Sequence, residues 1–300
     1  MSQIPFDAVR SWLFRDALPF WAAHGVDRVH GGFLEEVALN GAPTACGYKR
    51  VRVLCRQTYA FAHAAHLGWT EGDALSRLGV DYLKAHARLP DGGWAKTLSV
   101  DGTIIDATPD LYDLSFVMFA MAWRYRISGD ADALALTHAT FDYIQTHMRG
   151  PIAGFWSRLP AGAPRLQNPH MHLTEACLVA FEATGAQRFL DQATEIVDLM
   201  RTRLFDGHTL GERFDEDWKR LTCEEGRAVE PGHHFEWAWI LAQYQRLTGV
   251  DRSAEAQALA EFAEQYGVDS ISGAVFDLVR DDGTPLRKSS RAWTNTERIK

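Results

Sequence analysis

The sequence predicts an all-α fold: a closed ring of helical hairpins, an (α/α)6 barrel (toroid), with short β-hairpins at one end. Three observations carry this expectation. Apolar residues recur at helical spacing along the whole chain. A glycine–aromatic unit returns between the helices at a near-constant interval. The helix after each such unit opens with polar groups at a matching phase.

In chain order, apolar periodicity places helices over 6–23 (Val9, Leu13, Leu18, Phe20 and Trp21 form its stripe), 52–67, 73–87, 112–127, 131–148, 171–183, 187–204, 233–247 and 252–266, with a tenth opening near Ala292. Between them, Gly32-Phe33, Gly93-Trp94, Gly154-Phe155 and Gly273-Ala274-Val275-Phe276 each open a short extended segment. Most then reach a tight turn at Asn40-Gly41, Asp101-Gly102 or Asp282-Gly283, with Ala161-Gly162 a poorer version. Asn-Gly and Asp-Gly suit such turns because both central residues take positive φ. Phe214 holds the same phase in a less regular copy. Aromatic positions 33, 94, 155, 214 and 276 are separated by 61, 61, 59 and 62 residues, too even for chance. Each unit is helix, helix, hairpin, and each helix pair must bury its apolar stripe against its neighbours.

An open solenoid and a closed ring both satisfy this repeat, and the polar helix starts separate them. They are Arg52 and Arg56; Asp110, Tyr112 and Asp113; Asn168, His170, His172 and Glu175; Glu230, His233 and Glu236; and Trp293, Thr296 and Glu297. Positions 52, 113, 172, 233 and 293 lie 61, 59, 61 and 60 apart. Equivalent positions of successive repeats point into one place only if the ring closes. The expectation is therefore one catalytic domain over 1–300, with these helices inside and a pocket at the hairpin end. Six units of this size need roughly 360 residues to close, so a ring truncated by about its last three helices is expected. The apolar face so exposed would destabilise the chain or be covered by a second copy, as a homodimer.

Composition narrows the function classes. A net charge of −8 argues against nucleic acid and anionic membranes as partners. No apolar run is long enough to span a bilayer, and residues 1–10 lack the charged start and apolar stretch of a leader. Cys46, Cys55, Cys177 and Cys223 show neither C-x-x-C pairing nor metal spacing. A cytoplasmic protein with free thiols, acting on an uncharged small molecule, is expected.

The stretch Glu230 to Trp239 carries the strongest chemical signal. Pro231 and Gly232 break any preceding helix, and His233 and Glu236 then share a face of the first turn. An imidazole titrates near neutrality, and a carboxylate can orient it or hold it charged. Trp237 and Trp239 add aromatic faces that suit a hydroxyl-rich ligand such as a sugar; a polar cap above a core helix is the plainer reading. Asn168, His172 and Glu175 repeat this pattern, again on one helix face, while His170 lies off it and reads as structural. Arg56 sits on a mostly apolar helix, so its guanidinium must be paired or face a polar cavity. It can donate to a substrate oxygen and stabilise an enediolate, or pair with Asp113 or Glu236. Asp110 reads as a helix cap, and Tyr112 as a pocket residue. No metal site is expected, because no His-x-x-x-His, Cys/His cluster or carboxylate ladder occurs, and no nucleotide loop is present. Asp113 and Glu236 keep glycoside hydrolysis or a lyase open as an alternative, beside sugar binding without turnover.

Together these segments, with Arg56-Gln57, Asp110-Leu111-Tyr112-Asp113 and Trp293 to Glu297, resemble the N-acylglucosamine 2-epimerase family, over the whole chain and in order. The resemblance implies an (α/α)6 barrel and cofactor-independent proton transfer next to the carbonyl of an open-chain aldose, by an aldose–ketose isomerase or 2-epimerase. By motif position, His233 resembles one of the family's two acid/base histidines and Glu236 its carboxylate partner. Arg56, Asn168 and His172 resemble residues that hold the sugar and its enediolate, and Trp293 resembles a stacking residue. The Phe-Glu-Trp-Ala-Trp form looks like the mannose isomerase-type members. The family's second catalytic histidine, on its last inner helix, is expected beyond residue 300.

Overall fold

In the computed structural model, described over residues 5–300, the chain is mostly helical with short antiparallel strands. Residues 1–4, the start of the stretch read for a leader, lie outside this part. The chain divides into two compact units, Met1–Thr146 and His147–Lys300.

In the first unit, α1 (Phe6–Trp12) runs through a π-helical turn at Leu13–Ala17 into α2 (Leu18–His24). Pro19 explains the wider turn, since it has no N–H to return to the carbonyl one turn back. Then come α3 (Val51–His66), α4 (Gly72–His86), α5 (Leu111–Ser128) and α6 (Ala131–His147). Strands β1 (Tyr48–Arg50), β2 (Thr97–Ser99) and β3 (Ile104–Asp106) form one antiparallel sheet in that order.

The second unit contains β4 (Arg165–Leu166), α7 (Gln167–Thr184), α8 (Gln187–Leu199) with a π-helical end at Met200–Leu204, β5 (Arg213–Phe214) and a short α9 (Glu224–Arg227). It continues with β6 (Ala228–Val229), α10 (Pro231–Thr248), α11 (Ser253–Tyr266), β7 (Leu278–Arg280), β8 (Pro285–Arg287) and α12 (Ala292–Ile299). Every helix read from periodicity is present, and α7 starts four residues earlier than the apolar pattern begins. No helix among the described residues is long and apolar enough to cross a membrane.

Two kinds of helix alternate. Runs of consecutive residues are buried on α5, α7 and α10, around their whole circumference. On α8 and α11 only one stripe is buried. This is the difference expected between inner and outer helices of a two-layered helical array. Each of the three buried helices stops at a glycine in the left-handed region, Gly129, Gly185 and Gly249, with φ of 68°, 69° and 74°.

The strands have a role that periodicity could not reveal. Each sheet ties the segment entering one helix, α3, α7 or α10, to the next repeat. Lys49 opposes Leu98, Arg165 opposes Phe214, and Val229 opposes Val279. The turns at Asp101-Gly102 and Asp282-Gly283 close β2–β3 and β7–β8, with Gly102 and Gly283 at φ of 91° and 86°. Ala161-Gly162 turns no hairpin: the nearby strand Arg165–Leu166 pairs with Arg213–Phe214 instead. Pro160 and Pro164 beside that dipeptide have no N–H to give to a ladder.

A side-chain clamp recurs in the second unit and fixes the repeat's register. His170 accepts from Phe155 N at 2.9 Å through Nε2, and its Nδ1 donates to Leu166 O at 2.8 Å. His234 accepts from Leu210 N at 3.1 Å and donates to Glu230 O at 3.0 Å. Asn295 accepts from Val275 N at 3.0 Å and donates to Arg291 O at 2.9 Å. Accepting from a backbone N–H fixes each histidine as the neutral Nδ1–H tautomer. The clamped residues Phe155, Leu210 and Val275 are also those that bridge to Arg149, Phe205 and Val268. The true repeat positions are therefore Leu210 and Val275, where the aromatic count had taken Phe214 and Phe276. Burial, not an aromatic ring, is what the position requires.

The clamp also corrects the phase of the polar groups. Aligned on His170 and His234, His172 corresponds to Glu236, and on Asn295 to Glu297. His233 lies one helical turn earlier than His172 in its own repeat, not in phase with it.

Candidate active site

In the first unit, Asp110 caps α5 as expected, accepting from Tyr112 N at 3.0 Å and Asp113 N at 3.4 Å. Asp113 is buried and holds Arg52 by two parallel bonds of 2.9 and 3.0 Å. Burial pushes its carboxyl up to about 6, with the Arg52 charge opposing. Arg52, not Arg56, is thus the partner of Asp113. Arg56 donates to the Tyr112 hydroxyl, its guanidinium lies 4.3 Å from the Phe116 ring centroid, and it keeps an exposed edge. The result is a cation fixed on an aromatic ledge, able to donate to an oxygen.

In the second unit, α7 and α10 pack together and carry two imidazole–carboxylate pairs. The first is His172, buried on α7, with Nδ1 2.9 Å from Glu175 Oε2 and 3.6 Å from Glu236 Oε1. Burial, then the charges of Glu175 and Glu297, push the Glu236 carboxyl well above its usual range. Lys300 Nζ meets Glu297 at 2.8 Å and lies 4.3 Å from the Trp239 ring centroid. Asn168, one turn before His172, has its Oδ1 buried without a hydrogen-bond partner among the described residues. Donor atoms of His172, Glu175 and Glu236 lie within 4.8 Å of one another, a set that could accept a metal ion, where spacing alone had suggested none.

The second pair corrects the sequence reading. The carboxylate bonded to His233 is Glu212, whose Oε1 lies 2.9 Å from Nδ1; Glu236 sits with His172 instead. Residues three apart share a helix face, but the His233 ring reaches sideways to the segment entering β5. Around it runs a chain of buried polar groups. Trp237 Nε1 donates to Gln167 Oε1 at 2.8 Å, and Gln167 Nε2 donates to Glu212 Oε2 at 2.9 Å. Glu230 N donates to Glu212 Oε1 at 3.3 Å. An indole N–H only donates, so Trp237 fixes which end of the Gln167 amide faces Glu212. Trp237 is fully buried, so its place is in this network rather than as a sugar platform.

Burial works against charge on His233, but the Glu212 carboxylate outweighs it and pushes the imidazole up to about 9. Burial likewise opposes the Glu212 charge; the His233 charge and the bonds from His233 and Gln167 hold this carboxyl below its usual range. Trp293 covers the imidazole at a centroid distance of 5.3 Å. Gly232 permits this approach, since a Cβ there would meet the Trp293 ring at 2.6 Å.

A profile for N-acylglucosamine 2-epimerase (GlcNAc 2-epimerase) matches residues 31–300. The chain belongs to the N-acylglucosamine 2-epimerase family. A mannose-6-phosphate isomerase of Rhizobium meliloti (strain 1021) is 35% identical over 298 residues, spanning 96% of this chain and 76% of the relative. A D-mannose isomerase of Thermobifida fusca is 29% identical, spanning 97% and 77%. The crystal structure of a D-mannose isomerase superposes with a TM-score of 0.90 at 22% identity, covering 99% of this chain and 81% of that one. The family member described here therefore has the fold of the family's (α/α)6-barrel enzymes, and it is an enzyme of the sugar isomerase and 2-epimerase class.

Proposed function

We propose that this family member interconverts an open-chain, mannose-type aldose with its ketose or its C2 epimer, by proton transfer through an enediolate and without a cofactor. The observation that carries the proposal is a pair of imidazole–carboxylate couples, His172 with Glu175 on α7 and His233 of α10 with Glu212 beside β5. Each carboxylate meets its imidazole at Nδ1, and Nε2 of His233 is assigned to the substrate. A base removes the C2 proton, and the electron pair moves into the carbonyl to give the enediolate. Returning the proton to C1 gives the ketose; returning it to the other face of C2 gives the epimer. In the second unit, Asn168 and Trp293 are assigned to holding the sugar, with Glu236 beside His172; in the first, Asp113 fixes Arg52.

The relatives' names support a mannose-type substrate. Asp113 has both oxygens committed to Arg52, which removes support for the hydrolase reading.

After dialysis against EDTA, the protein is expected to keep its full rate of conversion of mannose to the ketose or the C2 epimer. Activity lost to EDTA and restored by a divalent cation would show that His172, Glu175 and Glu236 hold a metal, and would overturn the cofactor-independent route.

A further inference from the structure

Glu212 has no counterpart in any local motif of the sequence, yet its buried carboxylate is held from three sides. It accepts from His233 Nδ1 at 2.9 Å, Gln167 Nε2 at 2.9 Å and Glu230 N at 3.3 Å. Its side chain and those of His233, Gln167 and Trp237 are all buried. The backbone adds to this, with Gln167 N donating to Glu212 O at 3.3 Å, so the carboxylate is anchored to the start of α7 as well as to α10.

Resting on the isomerase reading, we propose that Glu212 is the positioning residue that keeps His233 protonated and makes it a proton donor of the site. The polarity of the buried chain carries the assignment. Trp237 N–H fixes Gln167 Oε1 as acceptor, and Gln167 therefore presents N–H to Glu212. Gln167 Nε2 also lies 3.0 Å from His233 Nδ1, but with its N–H given to Glu212, the ionised, acceptor-only Glu212 takes the proton of His233 Nδ1. With Nδ1 committed, an imidazolium can act only through Nε2–H, which donates to the ring oxygen during opening or to the carbonyl oxygen as the enediolate forms. After donation the neutral imidazole keeps Nδ1–H on Glu212, so it regains its proton at Nε2 without rotating. The direction of the His233 titration agrees, because the couple holds it charged through neutrality.

The test is Glu212→Gln, with Glu212→Asp as a conservative control, read in two ways. The first reading titrates the His233 imidazole by NMR, assigned by its disappearance in His233→Gln, and needs no substrate. In the wild type this signal should titrate well above the ordinary histidine range. Glu212→Gln should bring it below, since burial is then opposed only by the weaker charges of Glu230 and Glu236, and Glu212→Asp should fall between. The second reading is the pH profile of kcat and KM. Glu212→Gln should lower kcat at pH 8 by ~10²-fold, regain activity as pH falls, and leave KM within about threefold. An unchanged His233 titration in Glu212→Gln would overturn the proposal, as would a shifted titration with an unaltered kcat profile. Wild-type protein that leaves every aldose unexchanged at C2 would sink the isomerase reading instead, while the titration still decides the Glu212–His233 couple.

Discussion

His172→Gln and His233→Gln are each expected to lower kcat on mannose by ~10²–10⁴-fold, the usual contribution of a positioned acid or base. Glutamine is the informative replacement. Its amide can still donate to Glu175 or Glu212, so the buried carboxylate is not left bare. Removing one partner of a buried pair outright costs about 3–5 kcal/mol, which would mix lost stability with lost chemistry. Steady-state kinetics beside thermal melts separate the two. A loss of only a fewfold at His233, with the melt unchanged, would reduce it to a structural member of the Trp237–Gln167–Glu212 chain.

The second large effect concerns stability. His234→Ala should destabilise the protein by about 2–5 kcal/mol, because the N–H of buried Leu210 and the carbonyl of Glu230 each lose a partner. The stacking of His234 on Phe262, at 4.9 Å, is lost as well. His234→Asn should recover at least half of this, since Asn295 makes the same two bonds in the next repeat. Equal losses for Ala and Asn would show that the clamp is not what the position needs. The same residues set the acid limit. Burial holds His170 down to about 3 and His234 down to about 4, whereas an unfolded histidine titrates near 6.5. Below about 6.5 the unfolded chain takes up protons that the folded one refuses, so stability falls as pH drops toward 4. His233 acts in the opposite sense: its raised value contributes stability below 6.5, lost as pH rises through about 9. Melting temperature should therefore peak between these limits.

Much of this fold is legible because helices announce themselves locally. The apolar stripes and the glycines at 129, 185 and 249 mark helix spans and ends, and Asp101-Gly102 and Asp282-Gly283 mark two real hairpins. Strands of two or three residues carry no period, so the stitching of Arg165 to Phe214 or Val229 to Val279 was out of reach. The register failed for a different reason. Aromatic residues were counted where the structure needs any buried residue with a free N–H. The spacing of His170, His234 and Asn295 was the better signal, and it was in plain view.

The site divides along the same line. His172, Glu175, His233 and Glu236 were visible because helix neighbours lie three or four apart in sequence. Glu212 lies 21 residues from His233, and Gln167 lies 66 from it. No local spacing connects them, and only the fold brings them into one buried chain. Arg56 was singled out with Asp113 as one possible partner, but Asp113 pairs with Arg52: that choice depends on helix orientation rather than spacing.

The central claim is proton transfer at C2 of an aldose, and incubation with mannose in deuterated water tests it most directly. The H2 signal is followed by NMR for the wild type and for His172→Gln. The account predicts loss of H2 in the wild type, with deuterium appearing alongside fructose or glucose, and at least a hundredfold slower exchange in the variant. An H2 signal that persists in the wild type, while an oligosaccharide offered in its place releases new reducing ends, would contradict it.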